Sequence, residues 1–109
     1  MDKVEILILR NLLYNEEYLR KVIPFIKPDY FEDHNQKIVF EEVDNFVHEY
    51  NQPATKEVLC IEVEKRSDIN DTSFTEITKL ISYLEEVPTD YDWLVDTTEK
   101  WCRDRAIYL

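Results

Sequence analysis

His48 is followed directly by Glu49, the pair that opens the zinc-protease helix motif, but no second histidine stands at the required spacing. His34 and His48 lie fourteen residues apart. That spacing places them near opposite ends of one helix or outside it, poor geometry for a shared metal. Asp68, Asn70 and Thr72 begin like a calcium loop. Asp71-Thr72-Ser73 supplies no glycine turn, however, and Lys79 fills the place of the terminal bidentate glutamate. Asp90 and Asp92 fit the first turn of a helix, where the dipole favours carboxylates, better than an acid–base pair. Cys60 and Cys102 have no close Cys or His partner, and on apolar helix faces a free thiol acts as a small hydrophobe. A disulfide between them stays open. With no glycine-framed serine and no Cys–His pairing, nucleophilic chemistry has no residues to use. We expect no catalytic, cofactor-binding or metal-ligating residue here.

The glycine content carries the exclusion further. The 109 residues include none, where ordinary usage of about 7% would supply roughly eight. Phosphate-cradling loops, dinucleotide fingerprints and tight hairpins need glycine for positive φ or close backbone approach. A chain without it is more easily built from helices ended by Asn and Pro, so the expected fold is all-α.

With 44% hydrophobic and 13% aromatic residues the sequence is globular, and its length suits one domain. The net charge of −11 is spread evenly: eleven acids against six bases in residues 1–55, thirteen against seven in 56–109. No basic stripe is available for nucleic-acid phosphates or anionic lipid. Protein partners, or simple solubility, account for such acidity better. Glu5 and Arg10 interrupt the apolar start, and no run reaches the ~20 apolar residues of a membrane span. We expect a cytosolic protein.

Helical spacing then orders the chain. The organising stretch runs from Pro28 to Thr55 and centres on a long amphipathic helix from about Asp33 to Tyr50, roughly 27 Å in length. Val39, Val43, Phe46 or Val47, and Tyr50 form its apolar face, while Glu41, Glu42, Asp44, Asn45 and Glu49 take the wet one. If Phe46 is core, its truncation to Ala costs ~3–5 kcal/mol. Val4–Tyr14 reads as a largely covered helix, with Ile6–Leu9 as a buried strand the alternative. Asn15 caps a second helix, and Pro24 and Pro28 end regular structure. Thr55 caps a fourth helix that ends near Lys65 and Arg66. Ser73 and Glu76 form the capping box of a fifth, stopped by Pro88. Thr89 or Asp90 starts a sixth, with Leu94, Thr98, Trp101, Cys102 and Arg105 along one side. The expected architecture is about six helices around one long central helix. The last helix shows no stop signal before Leu109, which points to a fragment of a longer chain. Several of the seven Tyr and two Trp must be core, but Tyr14, Tyr18, Trp101 and Tyr108 need not all be inside. Exposed aromatics on rigid helices make interface anchors.

In order and spacing, certain residues together suggest a family. They are Leu12-Leu13-Tyr14-Asn15-Glu16-Glu17-Tyr18, Asp29-Tyr30-Phe31, Phe40, then Pro53 with Thr55 and Leu59. Ser73-Phe74-Thr75-Glu76, Leu80-Ile81, Trp93-Leu94-Val95, Thr98-Glu99-Lys100 and Arg105-Ala106 complete the set. With them the chain resembles the N-terminal domain of DnaB-like replicative DNA helicases, most closely those of T-even-type bacteriophages. Bacterial members usually carry a His a few residues before the Phe matching Phe40; Gln36 and Lys37 stand here, which favours the phage branch. The resemblance implies a collar domain of a hexameric ring that pairs with neighbouring subunits and meets primase and the helicase loader. ATP, magnesium and DNA then belong to a RecA-like ATPase domain outside this chain. It implies further that a helical hairpin used in pairing follows, with Trp101, Arg105 and Tyr108 near the route into it. The competing expectation is a complete small acidic phage protein, a DNA mimic that inhibits a DNA-binding host factor. The even scatter of acids and interleaved bases disfavours the mimic, and missing ligand spacing disfavours a metal-dependent helical hydrolase.

Overall fold

The computed structural model describes residues 3–108 and shows six α-helices with no strand among them. They are α1 (Lys3–Tyr14), α2 (Glu16–Val22), α3 (His34–Tyr50), α4 (Lys56–Glu64), α5 (Asp71–Tyr83) and α6 (Tyr91–Tyr108). Single 3-10 turns occupy Ile23–Phe25 and Pro28–Tyr30 between α2 and α3. Pro24 and Pro28 thus lie in the opening of short turns, where a missing N–H costs nothing, rather than only terminating what precedes them.

Polar side chains start these helices. Asn15, Asp33, Thr55 and Asn70 each sit in extended backbone and accept from the amide three residues on, satisfying one orphan donor apiece. Asp90 does the same for Trp93 N–H at 2.9 Å. The cap of α5 is therefore Asn70, not Ser73, whose amide is the one capped at 2.8 Å. At its other end α5 stops at Tyr83, five residues short of Pro88. Lys56 Nζ reaches across from α4 to the Ser82 carbonyl at 3.0 Å and to Glu85 at 2.9 Å. The final turn is closed by a lysine from elsewhere.

Two groups of helices share the core. α3 packs on α4 and α5, α1 packs on α2 and α6, and the contact of α1 with α3 joins them. The 3-10 turn at Pro28–Tyr30 wedges between α3 and α6. Phe31 lies 5.3 Å from the Phe40 ring and 5.0 Å from Trp101, and Tyr30 meets Trp101 edge-on at 5.9 Å. Aromatic packing therefore seats the last helix on the central one.

The central helix buries Val39 and Val43 as its periodicity requires, but the stripe fades in the last two turns. Phe46 and Val47 are half-buried and Tyr50 is exposed, with the Phe46 and Tyr50 rings stacked on each other at 4.8 Å. The full core cost of truncation does not apply to Phe46. Glu42 on α3, expected on the wet face, is buried instead, and so is Glu5 on α1, which is 2% exposed. Arg66 reaches Glu42 at 2.7 Å, and Arg105 reaches Glu5 at 2.8 Å. Each acid is covered because an arginine distant in sequence brings it a countercharge.

Candidate interaction site

The side of α6 bearing Leu94, Thr98, Trp101 and Cys102 turns inward, all four buried. Thr98 Oγ1 and the Tyr18 hydroxyl of α2 share a buried hydrogen bond of 2.6 Å. Burial pushes the Tyr18 phenol above its ordinary range, so it stays protonated and able to donate. This bond pins α2 against α6 and leaves a shallow furrow beside the pair.

The furrow has a volume of about 470 Å³. Val22 and Phe25 line one wall, Val95 and Cys102 the other, and Lys21 and Arg103 stand at its rim. Residues 95, 99, 102, 103 and 106 recur on α6 at three- and four-residue steps, so one helix face supplies that whole wall. Phe25 is 67% exposed. Pro24 and Pro28 bracket it in sequence, and the 3-10 turn presents it outward. Burial, with the Glu99 carboxylate adding, pushes the Cys102 thiol up to about 11, so it contributes a neutral, apolar surface. Lys21 is exposed, and Arg103 makes only a loose exposed pair with Glu99 at 3.3 Å. The furrow is apolar, and Lys21, Arg103 and the Glu99 carboxylate together line its edge.

Of the residues singled out from sequence, Trp101 and Arg105 share α6 with one wall of the furrow, and they differ in what they contact. Trp101 is buried, its ring held by Tyr30 and Phe31, so it positions α6 and presents nothing outward. Arg105 ties α6 to buried Glu5 and to exposed Glu32 after the second 3-10 turn. Tyr108 is the last residue of α6, and its side chain lies outside the described residues. Phe25, Lys21, Val95 and Arg103 escape a reading of single motifs. Helical spacing on α6 reports Val95, one residue on from core-facing Leu94, whereas Lys21 and Phe25 stand on α2 and a 3-10 turn that this spacing does not reach.

Elsewhere the charges are largely used up within the fold. Arg66 joins Glu41, Glu42 and Asp68 at 2.7–3.1 Å, fastening the α4–α5 connection to α3. Arg10 stacks its guanidinium 4.9 Å from the ring of Tyr83 on α5. Among the described residues no group of three His, Cys, Asp or Glu side chains converges as a metal ion would need. No helix there is long and apolar enough to cross a membrane.

Comparison with known proteins adds a family. Residues 2–94 match the DnaB-like helicase N terminal domain. The chain is also similar to the DnaB-like replicative helicase of Enterobacteria phage T4, 32% identical over 102 residues. That alignment takes in 94% of this chain and 21% of the phage protein, so the chain spans about a fifth of its relative's length.

Proposed function

The chain belongs to the family of DnaB-like helicase N-terminal domains, and on that premise we propose that it is the assembly and protein-contact domain of a phage replicative helicase. It forms part of a collar on a hexameric ring, meets neighbouring subunits, and offers surfaces to primase and to the helicase loader. ATP and magnesium are handled by an ATPase domain elsewhere in the longer protein, which unwinds DNA in the host cytoplasm. Identity of 32% kept along 94% of the chain is the observation that carries this reading. The disposition of charge supports it physically. Arg20, Lys37, Lys56, Lys65, Arg66, Arg103 and Arg105 are each paired with a carboxylate, which reduces the cationic surface open to phosphates.

The gene provides the test. A reading frame continuing past Leu109 into a Gly-Lys-Ser/Thr phosphate loop is the expected result. The full product then sediments as a hexamer with ATP, and deletion of residues 1–109 abolishes its response to primase and loader while sparing ATP hydrolysis. A stop codon at that point, with inhibition of a DNA-binding host factor by the acidic chain, establishes the mimic instead. A deletion that changes neither response also overturns the proposal.

A further inference from the structure

Gln36 on the central helix is 0% exposed, and neither its Oε1 nor its Nε2 meets a hydrogen-bond partner in the protein. The spacing from Asp33 to Gln36 is that of a capping box, in which Gln36 would reach back to the Asp33 N–H. Asp33 makes its half, accepting the Gln36 N–H at 3.0 Å. Gln36 does not make the other, because its side chain is turned into the core. The indole Nε1 of Trp101 on α6 is likewise buried and without an acceptor. Both side chains border one aromatic layer. Phe31 packs on the rings of Trp101 and Phe40, and Gln36 stands one turn before Phe40 on the same buried face of α3. A buried amide or indole N–H with nothing to bond is costly, so native cores seldom keep one dry.

We propose that Gln36 and Trp101 hold one ordered water molecule in this layer. The chemistry of the two side chains selects the ligand. Trp101 only donates, while the Gln36 amide donates through Nε2 and accepts through Oε1. The ligand must therefore accept from the indole and both give and take at the amide. Water does all three. A cation has no lone pair for the indole, and an anion has no proton for Oε1. Full burial excludes anything larger than the smallest polar molecules. A chain of 109 residues holds roughly four buried waters, each making about three hydrogen bonds. Gln36 Oε1, Gln36 Nε2 and Trp101 Nε1 supply three partners for one of them. The water adds a polar link to the aromatic packing that seats α6 on α3.

Water–protein NOE and ROE spectra of the isotope-labelled chain test it. The Gln36 Hε2 protons and the Trp101 Hε1 proton are each expected to show a cross-peak at the water frequency, of opposite sign in the two experiments. Opposite signs mark a long-lived bound water and set it apart from proton exchange and from surface hydration. Gln36→Leu nearly keeps the volume of the side chain and removes its polar atoms, so the core should still close, and the Trp101 cross-peak is expected to vanish. If that variant does not fold, Trp101→Phe gives the converse reading, loss of the Gln36 cross-peak. Absence of the Gln36 cross-peak from the wild type would overturn the proposal. So would a Trp101 cross-peak that survives Gln36→Leu, or a Gln36 cross-peak that survives Trp101→Phe, since either means that the two side chains share no water.

Discussion

Tyr18 on α2 and Thr98 on α6, eighty residues apart, hold each other by a 2.6 Å hydroxyl–hydroxyl bond inside the core. The bond joins the two helices that flank the furrow, so it sets the width of that furrow as well as contributing stability. Tyr18→Phe deprives the Thr98 hydroxyl of this partner in a place water does not reach, and is expected to cost about 1–3 kcal/mol. Tyr18→Phe combined with Thr98→Val removes both polar ends and should recover much of that loss. Urea denaturation of the four proteins in the cycle measures it, and a double variant no better than Tyr18→Phe would show that the two hydroxyls do not act as a pair.

Arg105 is the countercharge of a carboxylate that is 2% exposed. Replacing Arg105 with Leu withdraws that charge from Glu5, and the expected loss is about 3 kcal/mol. The figure sits at the lower end of the usual range because the Arg105 side chain is itself 20% exposed. Its second contact, to exposed Glu32, adds little. Pairing Arg105→Leu with Glu5→Gln should restore most of the stability by thermal melt, since the buried negative charge is then gone.

These two pairs show where the sequence is legible and where it is not. Helix faces follow from spacing, so Val39, Val43, Leu94, Thr98 and Cys102 are buried as their periods require. Caps follow from side-chain chemistry, as at Asn15, Thr55 and Asp90. Glu42 is misread because burial of an acid depends on an arginine brought by the fold, from 24 residues away, and the burial of Glu5 depends likewise on an arginine 100 residues away. The furrow is misread for a related reason. One wall ends in Phe25 on a 3-10 turn whose orientation no periodicity encodes, and Trp101, an aromatic on the same helix as the other wall, turns inward because Tyr30 and Phe31 are there to receive it.

Hydrogen bonds from Arg66 hold the Asp68 carboxyl below its ordinary value of 3.8, with the attraction of the guanidinium charge adding. The folded state therefore favours the ionised form. Asp68 contributes stability above pH 3.8, and that contribution fades as the pH falls through its lower folded value. Arg66→Gln should move the Asp68 carboxyl back up towards the ordinary range. A carbon-detected NMR titration of that carboxyl checks this, and an unmoved midpoint would contradict it.

Asn51 ends α3 at φ 55°, in the left-handed region that glycine usually fills, and Arg20 holds both its Oδ1 at 2.9 Å and its carbonyl at 3.0 Å. Asn51→Ala removes the Oδ1 contact and the polar side chain by which asparagine tolerates the left-handed region, and should cost about 1–2 kcal/mol. Asn51→Gly relieves the backbone and keeps the carbonyl contact, so it should fall within about 0.5 kcal/mol of the wild type in chemical denaturation. Equal losses in the two variants would place the effect in the side chain alone.

The proposed protein-contact role requires that this acidic, glycine-free bundle not bind phosphates. Equilibrium titration of the isolated chain with a fluorescent single-stranded oligonucleotide, and separately with ATP and magnesium, measures this most directly. At physiological salt neither ligand is expected to bind with a Kd below about 1 mM, a range weaker than ordinary non-specific DNA binding. A Kd of about 10 μM or tighter for either one would contradict the account.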